Sequence, residues 1–159
     1  RAGEEGVLLA GGPALIVRTS WLYSSFGHNF VKTMLRLGRE KGEVRVVNDQ
    51  LGSPTYAADL ARALLTALPR LSGIEGVAIH HYANTGKISW YDFAREIFKQ
   101  SNIPCKVVPV SSAEFPTPVK RPAYSVLDTT SFSQTFDLSI PDWKTALQSC
   151  LTTLLSNQQ

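Results

Sequence analysis

The sequence predicts an α/β fold, because short apolar strands alternate with amphipathic helices along the chain. Residues 14–17 and 77–83 are mostly apolar runs, which is typical of parallel strands buried on both faces. Between them, Phe30, Met34 and Leu37 recur at the i, i+4 and i+7 spacing of a helix that packs one face on a core. This alternation favours a parallel sheet with helices packed against it.

Length and composition favour one globular unit. The 159 residues suffice for a single domain with a core, and 43% hydrophobic with 18% charged residues is a globular composition. No apolar run reaches the roughly 18 residues that a membrane span needs, and no basic-then-apolar leader opens the chain. We therefore expect a cytoplasmic protein that has no membrane partner.

The charge distribution argues against nucleic-acid binding. The formal net charge is +3, but the 16 lysines and arginines are scattered and do not alternate with aromatic residues. We therefore expect no nucleic-acid partner, and the positive excess suits an anionic ligand. Cys105 and Cys150 lack metal-ligand spacing and are interpreted as reduced thiols.

The first predicted elements are a helix end and a strand. Residues 2–10 are typical of the tail of a helix, and the glycine pair at 11–12 tolerates the left-handed backbone that ends one. The strand at 14–17 turns polar at Thr19 and Ser20, and ligands of open α/β sheets bind at such carboxyl ends. Trp21 follows directly, where a core aromatic and a ligand-site aromatic both fit the sequence.

A polar loop joins the valine-rich strand at 44–47 to the next helix. Its hydrogen-bonding side chains are Asp49, Gln50, Ser53 and Thr55. Gly52 and Pro54 suit a tight, fixed turn, so the loop predicts a ligand site, although the same residues are also ordinary turn chemistry. Thr55 is the predicted N-cap of a helix over residues 56–68, which carries the leucine stripe Leu60, Leu64 and Leu68.

The remaining chain contains three predicted helix starts and one loop. Asn29 is the predicted N-cap of the helix that follows it, and two capping boxes begin at Ser89 and Ser139. Residues 106–110 are typical of an edge strand, and five prolines between positions 104 and 122 favour a long loop after it. Within that loop, Lys120 and Arg121 place two cations on a proline-stiffened segment.

Four segments, in order, resemble motifs of the dTDP-4-dehydrorhamnose reductases, which are extended short-chain dehydrogenases. Residues 18–23 read RTSWLY and resemble the RTSW-x-Y of that family, and residues 29–31 read NFV, as the family does. Residues 49–56 read DQLGSPTY and resemble DQ-x-G-x-PT, and residues 121–128 read RPAYSVLD and resemble RPxxSxLD. Four ordered motifs form a far more specific signal than one glycine pattern.

The resemblance implies the carboxyl-terminal part of an NAD(P)-binding Rossmann-like fold with a small α/β substrate-binding lobe. Residues 1–159 would form a single unit of a larger reductase, which uses NADPH or NADH to reduce the C4 ketone of a dTDP-6-deoxy-hexulose. The glycine fingerprint of a dinucleotide site is absent from the sequence, and the family's catalytic Tyr-x-x-x-Lys pair would precede Arg1. We therefore expect that the amino-terminal half is missing and that these residues hold no catalytic group and no cofactor.

The resemblance also implies which residues bind the dTDP-linked deoxy-keto sugar. They are Trp21, Asn29, Phe30, Gln50, Ser53, Pro54, Thr55 and Arg121. Trp21 would lie against the sugar, Asn29 would bond phosphate oxygens, and the guanidinium of Arg121 would grip the pyrophosphate. Thr19 and Ser20 would contact the cofactor.

No metal site is expected. His80 and His81 are adjacent in a predicted strand and therefore point to opposite faces, so they do not readily chelate one ion.

Two alternatives to a reductase stay open. One is a non-catalytic nucleotide-binding or regulatory subunit of the same fold, as in relatives that regulate methionine adenosyltransferase. The other is a nucleotide-sugar epimerase or dehydratase, against which the RTSW segment argues. An apolar face and an incomplete sheet edge would also favour a homodimer.

Overall fold

The computed structural model describes residues 2–115 and 117–156, so Pro116 of the predicted proline-rich loop lies outside the described residues. The helices are α1 Ala2–Ala10, α2 Phe30–Glu40, α3 Ala57–Ala67, α4 Trp90–Gln100, α5 Thr130–Phe136 and α6 Trp143–Ser156. The strands are β1 Ala14–Thr19, β2 Leu22–Tyr23, β3 Glu43–Val47, β4 Leu51–Gly52, β5 Thr55–Tyr56, β6 Val77–Tyr82, β7 Ile88–Ser89 and β8 Lys106–Val110. A 3₁₀ helix, Leu68–Gly73, continues α3. The predicted alternation of strands and helices is confirmed.

The strands pair two by two. β1 and β6 are parallel from Ala14 opposite Val77 to Thr19 opposite Tyr82, and β3 is parallel to β8. β2 and β5 form a short parallel pair, whereas β4 and β7 are antiparallel. Within the described residues β8 pairs with β3 alone, which confirms its edge position.

The β1–β6 pair is less buried than the sequence predicted. The apolar residues of β1 are half-buried, its last two residues are exposed, and Ile79 of β6 is 40% exposed. Leu15 and Val17, which point to the same face, pack against a core cluster. The expectation of burial on both faces is wrong for this chain, because the described helices cover the pair from the face of Leu15 and Val17.

The main core lies between α2, α4 and α6 and the strands β2, β3, β5 and β7. Its most buried side chains include Val31 of α2, Phe93 of α4 and Leu147 of α6, each 0% exposed. Phe30, Met34 and Leu37 pack in this core, as their helical spacing predicted. A smaller core joins α3, α5 and β6 through Ala67, Tyr82, Phe132 and Phe136.

Helix α3 buries its small residues and Asp59 more fully than its leucines. Its buried residues are Asp59, Ala63 and Ala67, whereas Leu60 and Leu64 are half-buried and Leu68 is 54% exposed. Small side chains allow close approach to the smaller core, and the carboxylate of Asp59 is buried because it has hydrogen-bond partners there.

Two of the four predicted helix caps are confirmed. The side-chain oxygens of Asn29 and Ser89 accept hydrogen bonds from the backbone N–H of Lys32 and Asp92, 3.2 and 3.0 Å away. The box at Ser139 is displaced, because the carboxylate of Asp142 accepts from the N–H of Lys144 at 2.9 Å.

The prediction for Thr55 is wrong. The N-cap position of α3 is Tyr56, which makes no capping bond through its side chain, and Thr55 lies in β5.

Helix α1 lies on the surface. None of its residues is buried, and Leu8 and Leu9 are 51% and 88% exposed. It ends at Gly11 and Gly12, which have φ angles of 68° and 86°, so the predicted stop is confirmed. None of the described helices combines the length and the apolar content needed to cross a lipid bilayer.

Candidate functional site

Four chain segments converge beyond the carboxyl end of β1. Residues 20–23 lie beside residues 51–56 through the β2–β5 pairing and through a bond from the N–H of Thr55 to the carbonyl of Trp21, 3.2 Å long. The β4–β7 pairing adds residues 88–89. Residues 123–125 join at Leu51, whose N–H donates to Ala123 and whose carbonyl accepts from Ser125, both at 2.8 Å. Three of the four motif segments are thus brought into contact.

Trp21 lies at the centre of this arrangement. Its backbone has φ 47°, a left-handed conformation that is uncommon for a bulky residue and that turns the chain between β1 and β2. Its indole stacks on Trp90, with ring centroids 3.5 Å apart and an interplanar angle of 9°. The indole N–H donates to the hydroxyl of Ser125 at 3.1 Å, and that hydroxyl in turn donates to the carbonyl of Leu51.

Phe30 extends the aromatic group from the second motif. Its ring lies 4.6 Å from Trp90 and 5.8 Å from Phe93, measured between centroids. Asn29 precedes it and caps α2, while its amide nitrogen donates to the carbonyls of Ser24 and Phe26. The side chain of Asn29 therefore holds the 24–29 turn as well as the helix start.

The loop at 49–56 is held by its own side chains. The hydroxyl of Ser20 donates to the carbonyl of Ser53 at 3.1 Å, and the hydroxyl of Ser53 donates to the carbonyl of Gly86 at 2.6 Å. Gln50 donates to Ser112 at 2.8 Å. Asp49 accepts from the N–H and the hydroxyl of Ser112, and these bonds hold the pKa of its carboxyl below the usual value.

Three of the predicted ligand residues are buried. Ser53 is 3% exposed, Thr55 is 0% exposed and Pro54 is among the fully buried side chains. The hydroxyl groups of Thr55 and Tyr23 have no hydrogen-bond partner among the described residues. Burial raises the pKa of the Tyr23 phenol far above its usual value, so this group stays neutral.

A buried polar network underlies the loop. The amide of Asn84, 1% exposed, accepts from the N–H of Tyr56 at 2.8 Å and donates to Asp59 at 2.9 Å and to the carbonyl of Pro141 at 3.2 Å. Asp59 also accepts from Arg62 at 2.9 Å. The network ties the end of β6 to the start of α3 and to the chain before α6.

Two exposed cations shortly precede the residues that bond Leu51. Arg121 and Lys120 are exposed and precede Ala123, which is bonded to Leu51. The ammonium of Lys87 lies 5.8 Å from the ring centroid of Tyr124. No hydrogen bond or ion pair engages the side chain of Arg121 within the described part of the chain, so its five donors are free for an anion.

Thr19 and Ser20 occupy the carboxyl end of β1 and the position after it. Thr19 is exposed, whereas the hydroxyl of Ser20 is used by Ser53. Among residues 2–115 and 117–156, no group of three or more His, Cys, Asp or Glu side chains could hold a metal ion. His80 contacts the hydroxyl of Ser131 at 3.0 Å, and burial lowers the pKa of its imidazole.

Sequence reasoning missed two members of the site. They are Trp90, which none of the motif segments contains, and Gly52, which the sequence marks only as a turn former. Ser125 belongs to the RPxxSxLD-like segment, but its contact with Trp21 spans 104 positions. Nothing in the sequence indicates that Trp90, the first residue of α4, stacks on Trp21, which follows β1 closely.

A family model described as the RmlD substrate binding domain matches residues 1–156. The chain belongs to this family. The predicted resemblance is therefore confirmed, and the match extends through α6, beyond the last of the four motifs.

The relatives of this family member include several curated reductases. The dTDP-4-dehydrorhamnose reductase of Aggregatibacter actinomycetemcomitans is 39% identical over 155 residues, which are 92% of this chain and 52% of that protein. The spore coat polysaccharide biosynthesis protein SpsK of Bacillus subtilis is 44% identical over 127 residues, 80% of this chain and 43% of that protein. The chain thus spans about half the length of the curated relatives it matches.

The chain also matches about half of several solved reductase structures. A dTDP-4-dehydrorhamnose reductase from Bacillus anthracis, in complex with NADP, matches with a TM-score of 0.82 and 41% identity over 87% of this chain and 48% of its own. The dTDP-4-dehydrorhamnose reductase of Clostridium acetobutylicum matches with a TM-score of 0.81 and 42% identity. The match covers 89% of this chain and 49% of that structure. A UDP-galactose 4-epimerase at 15% identity and TM-score 0.69 shares the fold alone. The Rossmann-like fold class is therefore confirmed.

Proposed function

We propose that this chain is the substrate-binding part of a cytoplasmic reductase that uses NADPH or NADH to reduce the C4 ketone of a dTDP-linked 6-deoxy-hexulose. The observation that carries the proposal is the convergence of three motif segments around Trp21 in a chain that matches the substrate-binding family from residue 1 to residue 156. The relatives named dTDP-4-dehydrorhamnose reductase support this substrate.

Arg121 is the proposed ligand of the pyrophosphate. Its exposed guanidinium lies two residues from Ala123, which the N–H of Leu51 holds at 2.8 Å, so the cation projects from an anchored segment. A guanidinium bonds two phosphate oxygens at once, whereas the neighbouring Lys120 acts as a point charge. Asn29 would contribute at the N-terminus of α2, where backbone N–H groups suit anions.

Trp21 and Phe30 are proposed to form the wall beside the sugar, and Gln50 to border it. Ser53, Pro54 and Thr55 act in this proposal by fixing the loop, because their side chains are buried. The bond from Ser20 to Ser53 joins this loop to the residue after β1, and the bond from Ser53 to Gly86 joins it to the segment between β6 and β7.

Thr19 and Ser20 fit one side of a nicotinamide dinucleotide site. Thr19 ends β1 and Ser20 follows it, at the edge where open α/β sheets bind ligands, and Thr19 is exposed. A bound NADPH or NADH supplies the hydride. The residues of this chain would hold the sugar so that its ketone faces that cofactor, while the acid-base pair of the family would come from an amino-terminal half.

Calorimetric titration of the 159-residue chain with dTDP tests the anion site. Replacing Arg121 by Ala should weaken dTDP binding by about 10 to 150-fold, since a hydrogen bond to a charged group contributes about 1.5–3 kcal/mol. Arg121→Lys should weaken it less but measurably, although the charge is kept. Arg39→Ala removes an exposed arginine of α2 and serves as the matched control, with dTDP affinity unchanged within about twofold.

Two results would contradict the proposal. Wild-type chain that gives no saturable heat with millimolar dTDP has no such site. If both Arg121 variants bind dTDP as wild type does, the pyrophosphate lies elsewhere.

The chain alone should neither oxidise NADPH in the presence of the keto sugar nor bind NADPH in the micromolar range, because it contains no glycine-rich phosphate loop. Micromolar NADPH affinity in a fluorescence titration would be inconsistent with this division of labour. Joining the chain to the amino-terminal half of the Clostridium acetobutylicum reductase should restore NADPH oxidation.

A further inference from the structure

The geometry around Trp21 defines how this residue can meet a ligand. Trp90 covers one face of its indole, because the two rings are nearly parallel and their centroids are 3.5 Å apart. That distance is close to van der Waals contact, so nothing else fits between the two rings.

Gly52 covers the other face. A Cβ added at Gly52 would overlap Cε2 of Trp21 and would lie 2.6 Å from both Cζ2 and Nε1, two of the three atoms bonded to Cε2. If the added Cβ approached in the plane of the ring from outside, Cζ2 and Nε1 would be closer to it than Cε2. Because Cε2 is instead the nearest atom, the Cβ lies above the plane of the ring. Since Trp90 fills one face, the backbone of Gly52 lies against the opposite one.

The indole edge is fixed as well. Its N–H donates to Ser125, whose hydroxyl is anchored on Leu51, the neighbour of Gly52. The left-handed backbone of Trp21 stores strain that this packing must offset. Both faces and the N–H of the Trp21 indole are therefore occupied, so only the rest of its edge is left to contact a ligand.

We infer that Trp90 is a positioning residue for the substrate. Trp90 and Gly52 together hold the Trp21 indole between them, so that the edge of the indole, and not its face, contacts the sugar. This inference rests on the proposed function, because it assigns the site to a dTDP-sugar. It differs from the sequence-based expectation, in which the flat face of Trp21 lies against the sugar. Trp90 itself need not touch the ligand.

The test compares two ligands on four variants of the chain. Calorimetry gives the affinity for dTDP and for dTDP-rhamnose. The dTDP-rhamnose affinity divided by the dTDP affinity, called the ratio below, isolates the contribution of the sugar. Trp90→Leu should lower the dTDP-rhamnose affinity by about 3 to 10-fold, as expected for the loss of one aromatic pair, with dTDP affinity unchanged within about twofold. Trp90→Phe supplies a flat face again and should recover most of the loss. Gly52→Ala should also lower the ratio, because its Cβ overlaps the ring.

Trp143→Phe is the matched control. It removes the third tryptophan, which packs edge-on against Phe93 in the same core, and should leave the ratio unchanged. Circular dichroism gives a readout independent of ligand: the exciton signal of two stacked indoles should vanish in Trp90→Phe and persist in Trp143→Phe.

The outcomes separate the two proposals. Intact dTDP binding with an unchanged ratio in Trp90→Leu and in Gly52→Ala overturns the positioning role alone. An equal loss for both ligands, or a Trp90→Phe variant as impaired as Trp90→Leu, shows a general structural role and also overturns it. Wild-type chain that does not bind dTDP overturns the proposed function, and the inference with it.

Discussion

Replacing Asn84 by Ala should strongly destabilise the chain. The Asn84 amide is 1% exposed and joins three parts of the fold: the N–H of Tyr56 before α3, the carboxylate of Asp59 within α3 and the carbonyl of Pro141 before α6. The alanine variant leaves each of these groups without that partner. We expect the free energy of unfolding to fall by about 3–5 kcal/mol.

The magnitude follows from the separate contacts. The N–H of Tyr56 becomes a buried donor with no acceptor, which costs about 1–3 kcal/mol. The buried carboxylate of Asp59 loses a bond that, being charged, contributes about 1.5–3 kcal/mol, although Arg62 remains at 2.9 Å. Pro141 is half-buried, so water can replace the amide at its carbonyl at little cost. The free energy of unfolding of a typical domain is about 5–15 kcal/mol, so the variant should lose a large share of its stability.

Urea denaturation followed by circular dichroism measures this loss. Asn48→Ala is the matched control, because Asn48 is exposed and should change the free energy of unfolding by less than about 0.5 kcal/mol. A double-mutant cycle with Asp59→Ala should show a coupling energy of about 1 kcal/mol or more. A loss below about 1 kcal/mol for Asn84→Ala, with an unchanged m-value, would refute the view that this network holds the loop.

Three further predictions concern single positions. Hydrogen bonds from Ser112 lower the pKa of Asp49, so its charge stabilises the fold above about pH 4 and this contribution disappears as the pH falls through the lowered pKa; the difference in the free energy of unfolding between wild type and Asp49→Asn, measured by urea titration, should therefore shrink as the pH falls through that pKa. Gly38→Ala places a Cβ 2.5 Å from an aromatic carbon of α4 and should cost about 1–3 kcal/mol in thermal unfolding, whereas Gly42→Ala, with open space around it, should cost little. Thr55→Val removes a buried hydroxyl without a described partner and should leave stability unchanged or raise it by about 1 kcal/mol, and a fall in dTDP affinity would instead show that this hydroxyl binds ligand.

Local patterns in the sequence predicted the framework well. Some predictions depend only on residues that are close together in the sequence, and the structure confirms them. They are the strand at 14–17, the helix stripe beginning at Phe30 and the caps at Asn29 and Ser89. The motif segments predicted which parts of the chain assemble, because three of them meet at Trp21.

Long-range contacts explain the predictions that were wrong. In α3, Asn84, 25 positions away, makes burial of Asp59 favourable, so Asp59 is buried more fully than the leucine stripe of that helix. Thr55 has the side chain of an N-cap but is drawn into β5 by the carbonyl of Trp21, 34 positions earlier. Such pairings are invisible to helix and turn rules, which consider neighbours along the chain.

The polar loop at 49–56 gains a further role from its hydrogen bonds. Asp49 and Gln50 hold Ser112, and Leu51 holds Ala123 and Ser125, so three consecutive residues fix both ends of the segment that carries Arg121. The hydrogen-bonding side chains that suggested a ligand site are thus largely used within the protein, while the cations between the two anchors remain exposed. A segment fixed at both ends loses less entropy when it binds an anion, because its anchors are ordered beforehand. In the proposed function, the loop would therefore contribute to recognition by holding the segment that carries Arg121, and that segment would make the phosphate contact.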